Sequence, residues 1–314
     1  MEVNWRAELE EILDSWDEET TDDDVCDLPK FRLKAWLAEC PNFKLYRYMP
    51  PDYFNIRNIE TQTIHLSCNG VMNDVFEGMP KSLDNISYAK LQDLKNLSYM
   101  VCFSETNADL LMWSHYAQQH KGFCVEYDLQ KLMPENCSLF DPIGHLFPIV
   151  YRNKRQPVRN LKSLAQSLAV LNADIHDHNK YSGDEPLDDI LPLFMVKSKD
   201  WEYEKEWRII YSRKQMYDFD DEILYGGNIG FKCISAVYLG YRIHPEIRKN
   251  IQEICDRISS ETSPIAVYQA ELSPTEYKIE YRRLKTPLQS ELPGVGHSGV
   301  FLISLVFSML SRLA

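Results

Sequence analysis

The 314-residue sequence contains no CxxC pair, no HExxH helix and no GxxxxGK loop. Each absence removes support for a class: a structural zinc site, a zincin, a P-loop nucleotidase. The eight cysteines, at 26, 40, 68, 102, 124, 137, 233 and 255, follow no regular spacing. A disulfide framework is therefore not expected, and the thiols read as those of a reduced, cytoplasmic protein. Positive charge is the scarcer sign. With 34 Lys and Arg against 47 Asp and Glu the formal charge is -13, a field that repels nucleic acid and anionic membranes unless a local patch overrides it. No apolar run reaches the roughly 20 residues that span a bilayer. The run 300–313 is interrupted by Ser304, Ser308, Ser311 and Arg312, and reads as a packed or interfacial helix or as an altered C-terminus. The opening MEVNWRAELEEILDSWDEE has neither a basic n-region nor an apolar h-region, so no signal peptide is expected.

What is present is material for a core, at 44% hydrophobic residues. Trp5, Leu9, Ile12, Leu13 and Trp16 recur at helical spacing before the acidic block DEETTDDD, and LPKFRLKAWLAECP forms a second helical stretch. Residues 1–40 therefore read as an acidic helical extension. FKLYRYMP, TIHLSCNG, YMVCFSE, FCVEYD, EWRIIYS, GFKCISAVYLG and IAVYQAELS are short apolar and aromatic runs, hence strands. PDYFNIRNIE, about 85–97, NADLLMWSHYAQQHKG and about 157–179 read as helical, the third capped by Asn107 or Asp109 and stopped by Gly122. Many short strands with a few helices predict an α+β fold with a largely antiparallel sheet. A single domain would cover 41–285, followed by a tail over 286–314.

Polar groups set inside aromatic runs mark a lined pocket in four stretches: LYRY (45–48), VCFSET (101–106), LMWSHYAQQHKGF (111–123) and WEYEKEWRII (201–210). Arg47, between Tyr46 and Tyr48, calls for an anion, either a ligand's phosphate or carboxylate or a buried acid such as Glu77. Ser104 closes a strand. Trp113, His115, Tyr116 and His120 share one helix, with the two histidines five apart, a spacing that does not suit a zinc pair. Glu202, Glu204 and Glu206 alternate, so in an extended segment they share a face. That face is either solvent, with Lys205 and Arg208 as partners, or a cavity in which one carboxylate orients a nucleophile and another stabilises positive charge. One run is basic: Arg152, Lys154, Arg155, Arg159 and Lys162 carry no acid among them. It reads as an exposed helix start or as a phosphate, RNA or DNA contact. No metal is expected.

LYRY, NGVMNDVFEG, CFSET, LMWSHYAQQHKGFCVEYD, KSKDWEYEKEWRII and ISAVYLG together resemble the bacterial family known as domain of unknown function 2971, over about residues 43–242. A further pattern, an arginine, a serine on an F-S-x-T strand and E-x-E ahead of an apolar strand, resembles the R-S-E signature of ADP-ribosyltransferases. That resemblance implies a split β-sandwich with Arg47 on the phosphates of NAD, Ser104 on the strand of the nicotinamide pocket and Glu206 as the catalytic glutamate. Glu204 would orient the acceptor, and Tyr46, Tyr48 or Tyr116, with Trp113 beside them, would hold the nicotinamide ring. The chain departs from the signature where FSET lacks a second serine and where Trp207 and Arg208 follow E-x-E. The implied activity consumes NAD, with protein, nucleic acid or water as acceptor near Arg152–Lys162 and a role in bacterial defence or toxin action. Two other readings stand beside it. One is a hydrolase or nuclease, metal-dependent or His-based, with His115 as general base and Glu105 or Glu126 as its partner; the other is a non-catalytic nucleotide-binding sensor.

Overall fold

Runs rich in β-branched and aromatic residues become strands in the computed structural model, which describes residues 4–14, 43–68, 72–79, 98–132, 145–156, 191–212, 228–260 and 263–284. The elements follow in the order α1 (Trp5–Asp14), β1 (Lys44–Met49), α2 (Tyr53–Thr61), β2 (Thr63–His65), β3 (Ser67–Cys68), β4 (Ser98–Ser104), α3 (Leu110–His115), β5 (Phe123–Asp128), β6 (Leu146–Pro148), β7 (Val150–Arg152), β8 (Val196–Ser198), β9 (Glu206–Ser212), β10 (Asn228–Gly230), β11 (Ile234–Leu239), α4 (Pro245–Ile258), β12 (Ala266–Leu272) and β13 (Ile279–Arg283). The chain divides into the units Met1–Leu284 and Lys285–Ala314, and the second lies outside the described residues. So do the helical stretches expected at 28–41, 85–97 and 157–179 and the tail at 299–314.

The fold is α+β with a large, mostly antiparallel sheet. Nine strands form it, in the order β13-β12-β11-β5-β1-β4-β9-β6, with β3 added on β4. β2 with β10 and β7 with β8 make two-stranded sheets. In the large sheet β11 and β12 run parallel, a pairing that needs a crossover, and α4 supplies it. Pro245 at the first helical position and His244 at the cap start α4, and Ile251, Ile254 and Cys255 pack its apolar stripe on the sheet.

Alternation divides each strand between two faces. Leu45, Val101, Phe103, Val125, Tyr127, Trp207 and Ile209 meet Ile59 of α2 and Ile251 of α4 in the main core. The opposite face carries the polar row. Ala236 lies opposite Glu126, Glu126 opposite Tyr46, Tyr46 opposite Ser104 and Ser104 opposite Glu206, so one line of residues crosses β11, β5, β1, β4 and β9. At the β9 end of this face α1 packs Leu9 and Leu13 against Met100, Phe147 and Ile210. Among the described residues no helix is long and apolar enough to cross a membrane.

The helix expected through Gly122 ends early. α3 is capped by the Asp109 side chain on the Leu111 and Met112 amides, and it gives way after His115. Gln118, Gln119 and His120 then take left-handed backbone angles (φ 46, 51 and 68). That conformation costs about 1 kcal/mol per residue. What holds it is pairing to the end of β11: the Gly240 amide donates to Gly122 O and the Arg242 amide to His120 O, both at 2.9 Å. A Cβ at Gly122 would lie 2.1 Å from the Met49 carbonyl oxygen, so only glycine lets the chain turn into β5 here.

Candidate active site

β1 pairs with β4 only through Tyr46 and Ser104, and further along β4 takes β3 as its neighbour, with Ser67 opposite Met100. A cavity of about 220 Å³ opens where these strands part. Residues of both strand parities reach it: Arg47, Val101 and Phe103 as well as Tyr46, Tyr48, Cys102 and Ser104. Tyr116 at the end cap of α3 and the charged side chains of the β8–β9 region complete the wall.

Those charges form one buried network. Lys197 Nζ lies 2.5 Å from Glu204 Oε2 and 3.1 Å from Glu206 Oε2. Arg208 grips Glu206 through Nε (2.7 Å) and Nη2 (3.0 Å), and Glu77 through Nη1 (2.5 Å) and Nη2 (2.9 Å). Its Nη1 also donates to the Phe194 carbonyl at 2.8 Å. Tyr116 Oη donates to Glu204 Oε1 at 2.5 Å. All five charged groups are buried, so each is held by its partners and not by water.

The two central carboxyls are pushed apart. Burial raises the Glu206 carboxyl, but the Arg208 and Lys197 charges outweigh it and hold Glu206 far below the usual carboxylate range. At Glu204 burial and then the Glu206 charge act upward, and Lys197 and Tyr116 only partly oppose them, so Glu204 stays raised. Glu206 is thus a fixed anion, whereas Glu204 can exchange a proton. Burial also raises the neighbouring Cys102 thiol and Tyr116 hydroxyl, keeping both neutral.

The local chain conformation differs from the extended one expected of the acidic run. Residues Lys199–Glu204 form a 3₁₀ turn, Lys205 is left-handed (φ 46), and the strand starts only at Glu206. Glu202 consequently faces solvent while Glu204 and Glu206 turn inward. The turn is pinned by Ser104, whose fully buried hydroxyl donates to the Glu204 carbonyl at 2.7 Å and accepts from the Thr106 amide at 3.2 Å. On its other side the Glu206 amide donates to the Tyr151 hydroxyl at 2.7 Å, and Arg6 of α1 donates to the Glu206 carbonyl at 3.1 Å. The carboxylates therefore sit on a clamped backbone.

Arg47 lines the cavity but shares its strand parity with Leu45 and Met49 of the main core. The acid weighed as its partner, Glu77, is instead the partner of Arg208. Among the described residues no carboxylate pairs with Arg47, and burial lowers its pKa. Tyr46 and Tyr48 also line the cavity, and Tyr48 Oη donates to the Thr106 carbonyl at 2.9 Å. Trp113 does not reach it. Its fully buried ring stands edge-on to Tyr48 at 5.3 Å and its indole N–H donates to Asn107 O at 2.8 Å, so it backs Tyr48 from behind.

His115 is also apart. It is exposed, and its ring touches those of Tyr116 and Tyr203. Neither carboxylate considered for it is beside it: Glu105 pairs with Arg6 and the Trp207 indole, and Glu126 accepts from Lys44 (2.6 Å), Ser235 (2.7 Å) and Tyr238 (2.6 Å).

Residues 112–209 match the model of a family described as protein of unknown function (DUF2971). The matched stretch is similar to DUF2971 and spans under half of the chain. It contains Tyr116, Lys197, Glu204, Glu206 and Arg208, while Arg47, Glu77 and Ser104 lie before it. The DUF2971 match thus covers the charged network except Glu77 and leaves the β1 and β4 walls outside. No curated protein and no solved structure matches the chain. Lys197 and Tyr151 escaped the sequence reading, and Glu77 entered it only as a partner for Arg47. A signal was present for one of them: in FMVKS the lysine follows an apolar run, a setting that asks for a buried partner.

Proposed function

We propose that this cavity breaks the N-glycosidic bond of an NAD-type nucleotide, in the manner of an ADP-ribosyltransferase. The observation that carries the reading is the carboxyl pair, one locked as an anion and the other proton-competent, on a clamped turn beneath three tyrosines. At about 220 Å³ the cavity falls below the roughly 300 Å³ of a pocket for a whole drug-sized ligand. It would take the nicotinamide and its ribose, with the rest of the dinucleotide outside.

In this scheme the bond from ribose C1′ to the nicotinamide nitrogen breaks and its electron pair leaves with the nitrogen as neutral nicotinamide. Positive charge develops at C1′, where the fixed field of Glu206 stabilises it. An acceptor oxygen adds to C1′ and passes any proton it carries to ionised Glu204, whose raised pKa makes it a stronger base than an ordinary carboxylate. Arg47 would meet a phosphate of the nucleotide, and Tyr46, Tyr48 or Tyr116 would flank the ring.

The test is incubation of the purified protein with NAD while free nicotinamide is assayed, with Glu204→Gln in parallel. Release by the native chain, reduced about 100-fold or more by Glu204→Gln, is the expected outcome. No release and no thermal shift by NAD would end this reading. One observation favours a second reading, a nucleotide-binding sensor: both Glu206 oxygens are already occupied by Arg208 and Lys197. A thermal shift by NAD without release would select the sensor.

A further inference from the structure

A second cavity, also of about 220 Å³, adjoins the first, and Asp74 and Lys197 line both. Its character is different. Arg152, Lys154 and Arg155 line it within four consecutive positions, and Phe76, 57% exposed, lines it as well. Arg152 is committed, to Asp14 at 2.8 Å and to Gln156 at 3.1 Å. Lys154 and Arg155 are exposed, and among the described residues neither forms an ion pair. In a chain of formal charge -13, two uncommitted cations beside an exposed aromatic ring form a local reversal of the overall field.

We propose that this second cavity binds the end of a single-stranded nucleic acid, with Lys154 and Arg155 on phosphates and Phe76 under a base. Cations tracking a backbone beside an aromatic stacking platform are the chemistry by which unpaired strands are held. At about 220 Å³ the cavity would take a terminal base and its sugar, with the phosphates at the rim against exposed Lys154 and Arg155. The net negative charge of the molecule disfavours a long duplex, which would bring many phosphates against acidic surface. The acceptor role rests on the reaction proposed above. With the terminal phosphate as acceptor, its oxygen forms a bond to ribose C1′ as the bond from C1′ to nicotinamide breaks, and nicotinamide departs with the electron pair. No net proton or redox change is needed.

The experiment is fluorescence anisotropy with a 3′-labelled single-stranded oligonucleotide, in DNA and RNA forms, with and without a 5′-phosphate, over a salt series and without NAD. The comparison is between the native chain, Lys154→Ala/Arg155→Ala, Phe76→Ala, and a charge-matched control, Lys249→Ala/Lys278→Ala, at exposed positions elsewhere. The double variant should weaken binding at least tenfold and lower the salt slope by about 1.4, two contacts at about 0.7 each. Phe76→Ala should weaken it about tenfold, and the control less than twofold. Three results would overturn the site: no binding by the native chain, equal losses in the control, or displacement of the oligonucleotide by inorganic phosphate at equal concentration. Binding is read without NAD. A chain that binds the oligonucleotide but releases no nicotinamide therefore keeps this site and loses the chemistry, whereas the reverse outcome sinks the site alone.

Discussion

Glu204 and Glu206 stand two residues apart with opposite titration behaviour, and this sets opposite effects for the same substitution. Glu206 is ion-paired to Arg208 and Lys197 in a buried setting. Glu206→Gln should therefore destabilise by about 3–5 kcal/mol, measured by denaturant unfolding. Glu204→Gln should change stability by less than about 1 kcal/mol at neutral pH, because the folded state already resists the charge it removes. The pH dependence follows from the same shifts. Glu206, lowered, contributes stability that is complete above the unfolded carboxyl value of about 4.3 and is lost as pH falls through its folded value. Glu204, raised, acts in the other direction: between about 4.3 and its folded value, rising pH subtracts stability. Thermal melts across this window should show Glu204→Gln losing less stability than the native chain as pH rises. The alternation of glutamates in the sequence predicts one shared extended face, whereas Glu204 and Glu206 both line the cavity and Glu202 faces solvent. Glu204 turns inward through a 3₁₀ turn and a left-handed Lys205, a local geometry that strand periodicity does not encode.

At the scale of elements, the strands were legible because each is a short apolar and aromatic run, and β1, β4, β5, β9, β11 and β12 fall on the stretches so marked. α3 was legible only at its start. Its cap residue Asp109 writes itself into sequence, whereas its end depends on hydrogen bonds to residues 240–242, which no local pattern contains. Gly122→Ala would place a methyl against the Met49 carbonyl, a backbone clash with nowhere to move. It should cost at least about 2 kcal/mol in denaturant unfolding. Gln119→Gly, at the middle of the left-handed run, should instead stabilise by about 1 kcal/mol in the same measurement. α4 was missed although it carries the signals of a helix, Pro245 at its start and apolar residues at 251, 254 and 255.

For the whole molecule, the informative fact is convergence. Tyr46, Ser104, Glu126 and Glu206 come from four strands and form one row across the sheet, which sequence order could suggest but not place. Register decides who belongs to the row. It places Ser104 under the Glu204 turn as a clamp, leaves Arg47 on the core parity at the cavity's edge, and puts Trp113 behind Tyr48. Residue types alone could name these candidates; only strand pairing separates those that line the cavity from those that support it. The DUF2971 match over 112–209 covers the charged half of the site and is silent on reaction. The reaction is therefore tested most directly by the rate of nicotinamide release from NAD, compared between the native chain and a folded Glu204→Gln variant. Release by the native chain and a loss of about 100-fold or more in the variant are expected. Equal release by both, or release by neither, would contradict the proposed reaction.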